Sequence, residues 1–101
     1  MEVVNAIAKV RFGSAKPQCV QIHKADSFRV EMVCMERGQE MKVESGQWMY
    51  YVITGTATLK SGGKSAEAPT GQLATAGPDE PHTLANPGER RLVCMAIGRT
   101  G

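Results

Sequence analysis

The sequence lacks most of the features that assign a protein to a broad class at first reading. No apolar run approaches the roughly 20 residues that a membrane-spanning helix needs, and no basic segment precedes an apolar stretch near the first residue, as it would in a secretory leader. The three cysteines form no C-x-x-C pair, and the charges nearly balance, with a net charge of +2. We therefore expect a cytoplasmic protein with reduced thiols and with neither a membrane nor a nucleic acid as partner.

Long helical periodicity is also missing, which argues against a parallel sheet with crossover helices. The chain instead contains short β-prone segments separated by glycine and proline. The predicted strands are residues 20–23, 28–35, 48–54, 56–59, 72–75, 83–85 and 92–97, and Ser61-Gly-Gly-Lys64 predicts a tight hairpin. This pattern indicates an all-β sandwich or barrel.

The length of 101 residues is enough for one domain with a single core. We therefore predict one domain over residues 1–101. Residues 1–17 are expected to be an N-terminal arm or short helix together with the first strand, with residues 3–9 the candidate for a short helix.

Histidine is scarce as well, with two residues, and one of them is the most informative position of the chain. His82 follows Gly71 by eleven residues, and Asn86 follows His82 by four. This segment resembles the second half of the cupin signature, G-x5-P-x-G-x2-H-x3-N. The internal proline and glycine positions of that pattern are occupied by Gly77 and Asp79.

The segment from Gly38 to Gly55 resembles the first half of the same signature, G-x5-H-x-H-x3–4-E-x6-G, at its ends but not in its middle. Counted from its start, the two histidine positions hold Glu44 and Gly46. Counted back from its end, they hold Lys42 and Glu44, and the glutamate position holds Trp48.

The resemblance to small single-domain cupins spans roughly residues 18–98 and implies a double-stranded β-helix, the jelly-roll barrel of that family, commonly paired as a homodimer. In the family, three histidines and one glutamate hold a metal ion such as manganese, iron, nickel, copper or zinc. Here His82 and Glu44 are the remaining candidate ligands. We expect no tightly bound cofactor, with a divalent transition metal on His82 and Glu44 as the alternative.

Side chains alternate along a strand, so Trp48, Tyr50 and Val52 share one face of the strand at residues 48–54. In the family's register this face lines the barrel interior. Trp48 then stands where a carboxylate ligand would be and either forms an apolar pocket or packs as core. The predicted ligand pocket comprises Glu44, Trp48, Tyr50 and His82.

The same strand pattern predicts positions for several sulfur-containing side chains. Met32, Met49 and Met95 are expected to fill an irregular cavity, as flexible thioethers can. Cys34 and Cys94 are expected to be buried, inert thiols on strands at opposite flanks of the barrel.

Two functions stay open at this stage. The first is a metal-free, degenerate cupin that binds a small apolar or mixed ligand or acts as an interaction module. The second is an enzyme, either a metal-dependent dioxygenase, isomerase or lyase acting on a small organic acid or sugar, or a metal-free variant with His82 as general base and Tyr50 as proton donor. Asn86 is expected to bind backbone near its turn, and His23 to lie on the surface.

Overall fold

The β-prone segments form nine strands within residues 1–99, the part of the chain that the computed structural model describes. The strands are β1 (Gln18–Lys24), β2 (Arg29–Met35), β3 (Glu40–Val43), β4 (Gln47–Thr54), β5 (Thr56–Ser61), β6 (Lys64–Pro69), β7 (Leu73–Thr75), β8 (His82–Ala85) and β9 (Leu92–Arg99). One 3-10 helix spans Ile7–Lys9, and the first strand begins after residue 17. No helix within the described residues is long and apolar enough to cross a membrane.

Two antiparallel sheets face each other. Sheet A has the strand order β1-β2-β9-β4-β7, and sheet B has the order β3-β8-β5-β6. The arrangement is the predicted all-β jelly roll, and Gly62 and Gly63, both with positive φ, make the predicted hairpin turn between β5 and β6.

The sequence pattern missed two strands, β3 and β6. Strand β3 is four residues long, with Met41 and Val43 packed against the core and Glu40 and Lys42 exposed. This alternation is a strand signal, but it is too short to stand out beside the denser β-branched segments. Strand β6 is mostly exposed, so hydrophobicity does not mark it, and only the hairpin signal before it implies its presence.

The main core lies between the sheets and holds most of the buried apolar side chains. Its members are Val33, Met35, Trp48, Tyr50, Val52, Ala57, Leu59, Ala68, Ala76, Leu84, Leu92, Cys94 and Ala96. A smaller cluster lies on the outer face of sheet A, where Met32, Cys34 and Val93 are covered by the N-terminal arm through Ala6, Val10 and Phe12. The arm thus protects a sheet face that would otherwise be exposed.

The expected cavity-filling role of three methionines is wrong. Met32 and Met95 pack in the outer cluster, and Met49 is 38% exposed on the outer face of β4. All three stand at positions whose side chains point away from the barrel interior, because alternation along each strand assigns them to the other face. The methionines that contact the main core are Met35 and Met41.

The expected separation of Cys34 and Cys94 is also wrong. Strands β2 and β9 are direct neighbours, with Val33 paired with Cys94 and Cys34 paired with Val93. The two thiols still face opposite sides of sheet A, since Cys94 belongs to the main core and Cys34 to the outer cluster. Both are buried, and burial raises the pKa of the Cys94 thiol to about 12, so it remains a neutral thiol.

Candidate functional site

Strand β4 carries the aromatic side chains of the site on its inner face. Trp48 is 6% exposed and Tyr50 and Val52 are fully buried, whereas their outward neighbours Met49 and Tyr51 are exposed. The alternation therefore follows the predicted register. The Trp48 ring lies against Gly98 on the neighbouring strand β9, where an added Cβ would come within 2.5 Å of the indole. Glycine at this position leaves room for the large ring.

The Tyr50 hydroxyl and the His82 imidazole meet inside the barrel. The hydroxyl oxygen lies 2.6 Å from His82 Nε2, and the second ring nitrogen, Nδ1, lies 2.8 Å from the carbonyl oxygen of Glu80. A carbonyl only accepts hydrogen bonds, so Nδ1 carries the proton in the neutral ring, and Nε2 accepts from Tyr50. Both nitrogens of His82 are therefore engaged.

The Tyr50 hydroxyl stays protonated in this environment. Burial is the main cause that raises the pKa of Tyr50 above its ordinary value of 10.0. The hydroxyl is consequently a stable donor to His82, and the hydrogen bond links β4 of sheet A to β8 of sheet B.

The turn before His82 is attached to the turn before Trp48. Asp79 accepts a bond from the Gly46 amide at 2.8 Å and donates its own amide to the Gly46 carbonyl at 2.7 Å. Asp79 has φ of +53°, a left-handed conformation that aspartate tolerates better than most residues. This explains how an aspartate can occupy a position where the signature has glycine. The reciprocal bonds fix the two halves of the site relative to each other.

A cavity of about 360 Å³ opens at the mouth of the barrel beside Trp48 and Tyr50. We call it the barrel-mouth cavity; Met41, Val43 and Ala96 add apolar wall, and polar or charged groups come from Cys19, Arg29, Glu31, Lys42, Glu44 and Ser45. The Arg29 guanidinium lies 5.2 Å from the centre of the Trp48 ring, and Arg29 Nε lies 3.5 Å from Glu31 Oε2. Arg29 Nε is buried and makes no hydrogen bond to the described residues.

The four predicted pocket residues divide between two adjoining cavities. Glu44, Trp48 and Tyr50 line the barrel-mouth cavity, and His82 lines a neighbouring cavity that also includes Glu44. Glu44 is exposed and follows the end of β3, so it stands at the rim of both spaces. The Tyr50–His82 hydrogen bond joins the two sides.

Comparison with known proteins agrees with this architecture. The family model described as the cupin domain matches residues 29–98. The chain belongs to the cupin family. No curated protein matches this cupin in sequence.

Solved structures share the fold of this cupin at low sequence identity. The protein TT1209 from Thermus thermophilus is 19% identical with a TM-score of 0.90, and the match covers 99% of this chain and 98% of that one. An uncharacterised conserved protein with a double-stranded β-helix domain from Klebsiella pneumoniae is 23% identical with a TM-score of 0.87, covering 100% and 91%. An RmlC-like cupin protein from Desulfovibrio desulfuricans is 21% identical with a TM-score of 0.78, covering 97% and 96%.

The donors present do not fit the metal cage of the cupin signature. Within residues 1–99 no three histidine, cysteine, aspartate or glutamate side chains converge on a common point. His82 Nε2, the nitrogen that faces the barrel interior, has its lone pair engaged by Tyr50. Trp48, at the glutamate position counted back from Gly55, offers an indole N–H that donates to the Ser45 carbonyl at 3.3 Å. An indole has no lone pair for a metal.

Asn86 and His23, the two remaining polar residues considered in the sequence, lie outside the site. Asn86 donates through Nδ2 to the carbonyls of Met35 and Arg90, as expected for a residue that holds backbone near its turn. His23 is exposed, lies 3.7 Å from Glu2 and packs beside Phe28, which agrees with a surface position.

Among the lining residues of the barrel-mouth cavity that were not predicted from the sequence are Cys19, Arg29, Glu31 and Met41. Cys19 Sγ lies 3.7 Å from Met41 Sδ across the opening between β1 and β3. Burial and the Glu31 carboxylate raise the pKa of the Cys19 thiol, so it is not an activated nucleophile. Arg29 and Glu31 lie two residues apart on β2, so their side chains share one face of the strand. This spacing is the sequence feature that could have identified them as lining residues.

Proposed function

We propose that this cupin binds a small, partly apolar organic ligand in the barrel-mouth cavity and does so without a metal ion. The observation that carries the proposal is the 2.6 Å hydrogen bond between Tyr50 and His82 Nε2, which takes up the imidazole lone pair that the signature uses for metal. Trp48 fills the adjacent interior. An apolar wall therefore stands where the family has a coordination sphere.

The chemistry of the cavity supports a ligand of mixed character. Its volume of about 360 Å³ suits a small molecule. Trp48, Met41 and Ala96 supply apolar surface, while Arg29 and Glu31 supply one cation and one anion on the same strand. A ligand with an apolar body and a few polar groups matches this lining better than a hydrocarbon or a highly charged ion does.

Elemental analysis of protein purified without chelator tests the metal-free part of the proposal. We expect substoichiometric manganese, iron, nickel, copper and zinc, and no loss of thermal stability after treatment with EDTA. A stoichiometric transition metal whose removal by EDTA destabilises the protein would contradict the proposal.

The indole N–H signal of Trp48, the single tryptophan of the chain, reports on the cavity directly. In ¹H–¹⁵N spectra we expect benzyl alcohol and cyclohexanol, small probes with an apolar body and one hydroxyl, to shift this signal saturably. Ala96→Leu, which fills the cavity wall, should abolish the shift, while Ala15→Leu in the exposed segment before β1 should not. Equal shifts in both variants would show that the probes bind outside the barrel-mouth cavity.

A second candidate function is metal-free acid–base catalysis by the same pair. The Tyr50 hydroxyl lies 2.6 Å from Nε2 of the buried His82 ring, so the pair has the geometry of a proton donor beside a proton acceptor. For any compound that binds in the barrel mouth, this function requires turnover that is lost in both Tyr50→Phe and His82→Gln while binding persists. A compound that binds but is recovered unchanged supports the binding module instead.

We also propose a homodimer in the cytoplasm. Exposed apolar side chains cluster on the outer face of sheet A, where Tyr51 of β4 pairs with Leu73 of β7, and Met49 lies two pairs further along. A second copy that covers this surface would remove it from water. The three free cysteines are what a reducing compartment favours.

A further inference from the structure

The cavity that adjoins the barrel mouth has a different chemical character. Its volume is about 560 Å³, and it lies at the end of sheet B where β3 ends, β8 begins and the β5–β6 hairpin turns. Lysines from three strands line it: Lys42 of β3, Lys60 of β5 and Lys64 of β6. We call the surface formed by these three lysines with Ser65 and Thr83 the lysine groove.

Strand register brings the lysines of the groove together. Lys42 and Lys60 are both paired with Thr83, one from each side of β8, so their side chains leave the same face of sheet B at the same level. Neighbouring strands lie about 4.8 Å apart, which places the two lysine backbones about 10 Å apart across β8. Lys64 is paired with Ser61 and so leaves the opposite face of the sheet, but it lines the same cavity from the end of the hairpin.

Positive charge exceeds negative charge in the groove. Its lining contains three lysines and one carboxylate, Glu44. Lys60 also forms an ion pair with Glu40 at 3.7 Å, but both side chains are about half exposed, so water screens the pair. Among the described residues, Lys42 and Lys64 have no carboxylate within ion-pair distance. Lys64 does lie close enough to the Glu80 carboxylate to lower the pKa of that group, so the positive charge of the groove is partly but not fully balanced.

We propose that the lysine groove binds a compact, multiply charged anion, with a phosphate ester or a polycarboxylate as the matching chemistry. An anion held above Thr83 would lie between Lys42 and Lys60, with Lys64 within reach from the hairpin. It would also relieve the mutual repulsion of three cations. This site adjoins the barrel-mouth cavity and shares Lys42, Val43 and Glu44 with its rim, but the proposal does not depend on the function proposed for that cavity.

An NMR titration of the full chain at low ionic strength tests the proposal. The probes are inorganic pyrophosphate for the phosphate class and citrate for the polycarboxylate class. We expect saturable shifts of the backbone amides of Gly62, Gly63 and Thr83 and of the His82 ring, because these groups line the same cavity. The Trp48 indole and the His23 ring, which line other parts of the surface, should not move.

Neutralising substitutions locate the charge. Lys42→Gln and Lys64→Gln should each weaken binding of the active probe by up to about fivefold, the upper end of what exposed charge pairs provide. Lys16→Gln is the matched control, since Lys16 is exposed and lies outside the groove, and it should leave the affinity unchanged. Added salt should weaken binding to the wild-type chain more than binding to either groove variant.

Each outcome decides the proposal. Binding of pyrophosphate alone assigns the phosphate class, and binding of citrate alone assigns the polycarboxylate class. Shifts that Lys16→Gln reduces as much as Lys42→Gln does indicate an adventitious ion only and overturn the proposal. Absence of saturable groove shifts with both probes also overturns it. Binding in the barrel-mouth cavity is measured separately, through the signal of the Trp48 indole.

Discussion

At the scale of single residues, the Tyr50–His82 pair is the most informative feature of the molecule. The imidazole has one nitrogen donating to the Glu80 carbonyl and the other accepting from the Tyr50 hydroxyl. A histidine in this state is satisfied without a metal, and its burial costs little because both polar atoms have partners. The same bond connects the two sheets, so it contributes to stability as well as to the character of the site.

Replacement of Tyr50 by phenylalanine tests this dual role. Tyr50→Phe removes the donor to His82 and leaves Nε2 buried without a partner, so we expect the free energy of unfolding to fall by about 1–3 kcal/mol. Tyr51→Phe is the matched control, because Tyr51 is 43% exposed on the opposite face of the same strand. Urea denaturation of both variants gives the comparison. Equal losses in the two variants would show that the Tyr50–His82 hydrogen bond does not stabilise the folded protein.

Glu80 gives the site a defined pH dependence. Its carboxylate accepts from the Gly77 amide at 2.7 Å, and this bond, followed by one from Ser61, lowers the pKa of Glu80 from its ordinary value of 4.5. The folded state therefore binds this proton less readily than the unfolded state. The stabilisation is present above pH 4.5 and is lost as the pH falls through the lower, folded-state pKa.

Stability measured against pH in Glu80→Gln checks this assignment. The variant should be less stable than the parent above pH 4.5, and the difference should shrink as the pH falls further. A difference that stays constant over the acid range would show that the carboxylate charge has no part in holding the turn. Glu67→Gln, an exposed acid on β6, serves as control.

At the scale of elements, turns rather than strands hold the site in place. Gly46 and Asp79 exchange two hydrogen bonds and thereby connect the turn before β4 with the turn before β8. Gly55 lies between β4 and β5 with φ of +84°, and Gly71 lies before β7 with φ of +85°. Both need the left-handed region, but their surroundings differ.

The two glycines should differ in their tolerance of valine. A Cβ at Gly55 would meet the Arg91 carbonyl oxygen at 2.5 Å, whereas a Cβ at Gly71 would meet nothing within 4 Å. Gly71→Val should therefore lose about 1–2 kcal/mol from backbone strain alone. Gly55→Val should lose more, because backbone must also shift, and we expect little soluble protein. Thermal unfolding and soluble yield show which of the two variants is less stable. A Gly71→Val variant that is less stable than Gly55→Val would contradict the prediction.

At the scale of the whole molecule, the two faces of sheet A have different roles. The inner face forms the main core, and the outer face is covered by the N-terminal arm over β2 and β9. The arm's cluster does not include Met49, Tyr51 or Leu73, which are 38%, 43% and 53% exposed. This uncovered part is the surface on which the proposed homodimer depends.

Charge on this surface should separate the proposed dimer. The double variant Tyr51→Lys with Leu73→Lys should sediment as a monomer where the parent chain sediments as a dimer, because two lysines on each copy would face each other across the interface. Val3→Lys, an exposed apolar position in the N-terminal segment, is the control. A parent chain that is monomeric at all accessible concentrations would contradict the dimer.

Local pattern was enough to predict the β class, the shared face of Trp48, Tyr50 and Val52 on β4 and the hairpin at residues 61–64, because alternation and turn chemistry act over a few neighbouring residues. That this face of β4 turns inward was implied by the resemblance to cupins. It also located His82 as the ligand position that matches the cupin signature and Trp48 as a position where this cupin departs from it. Only the tertiary structure decided what occupies the His82 nitrogens, since Tyr50 lies 32 residues away along the chain and on the other sheet. The same holds for the adjacency of the Cys34 and Cys94 strands and for the convergence of three lysines. Such contacts depend on strand order and register, which are set by how the whole chain buries its apolar surface and not by any one segment.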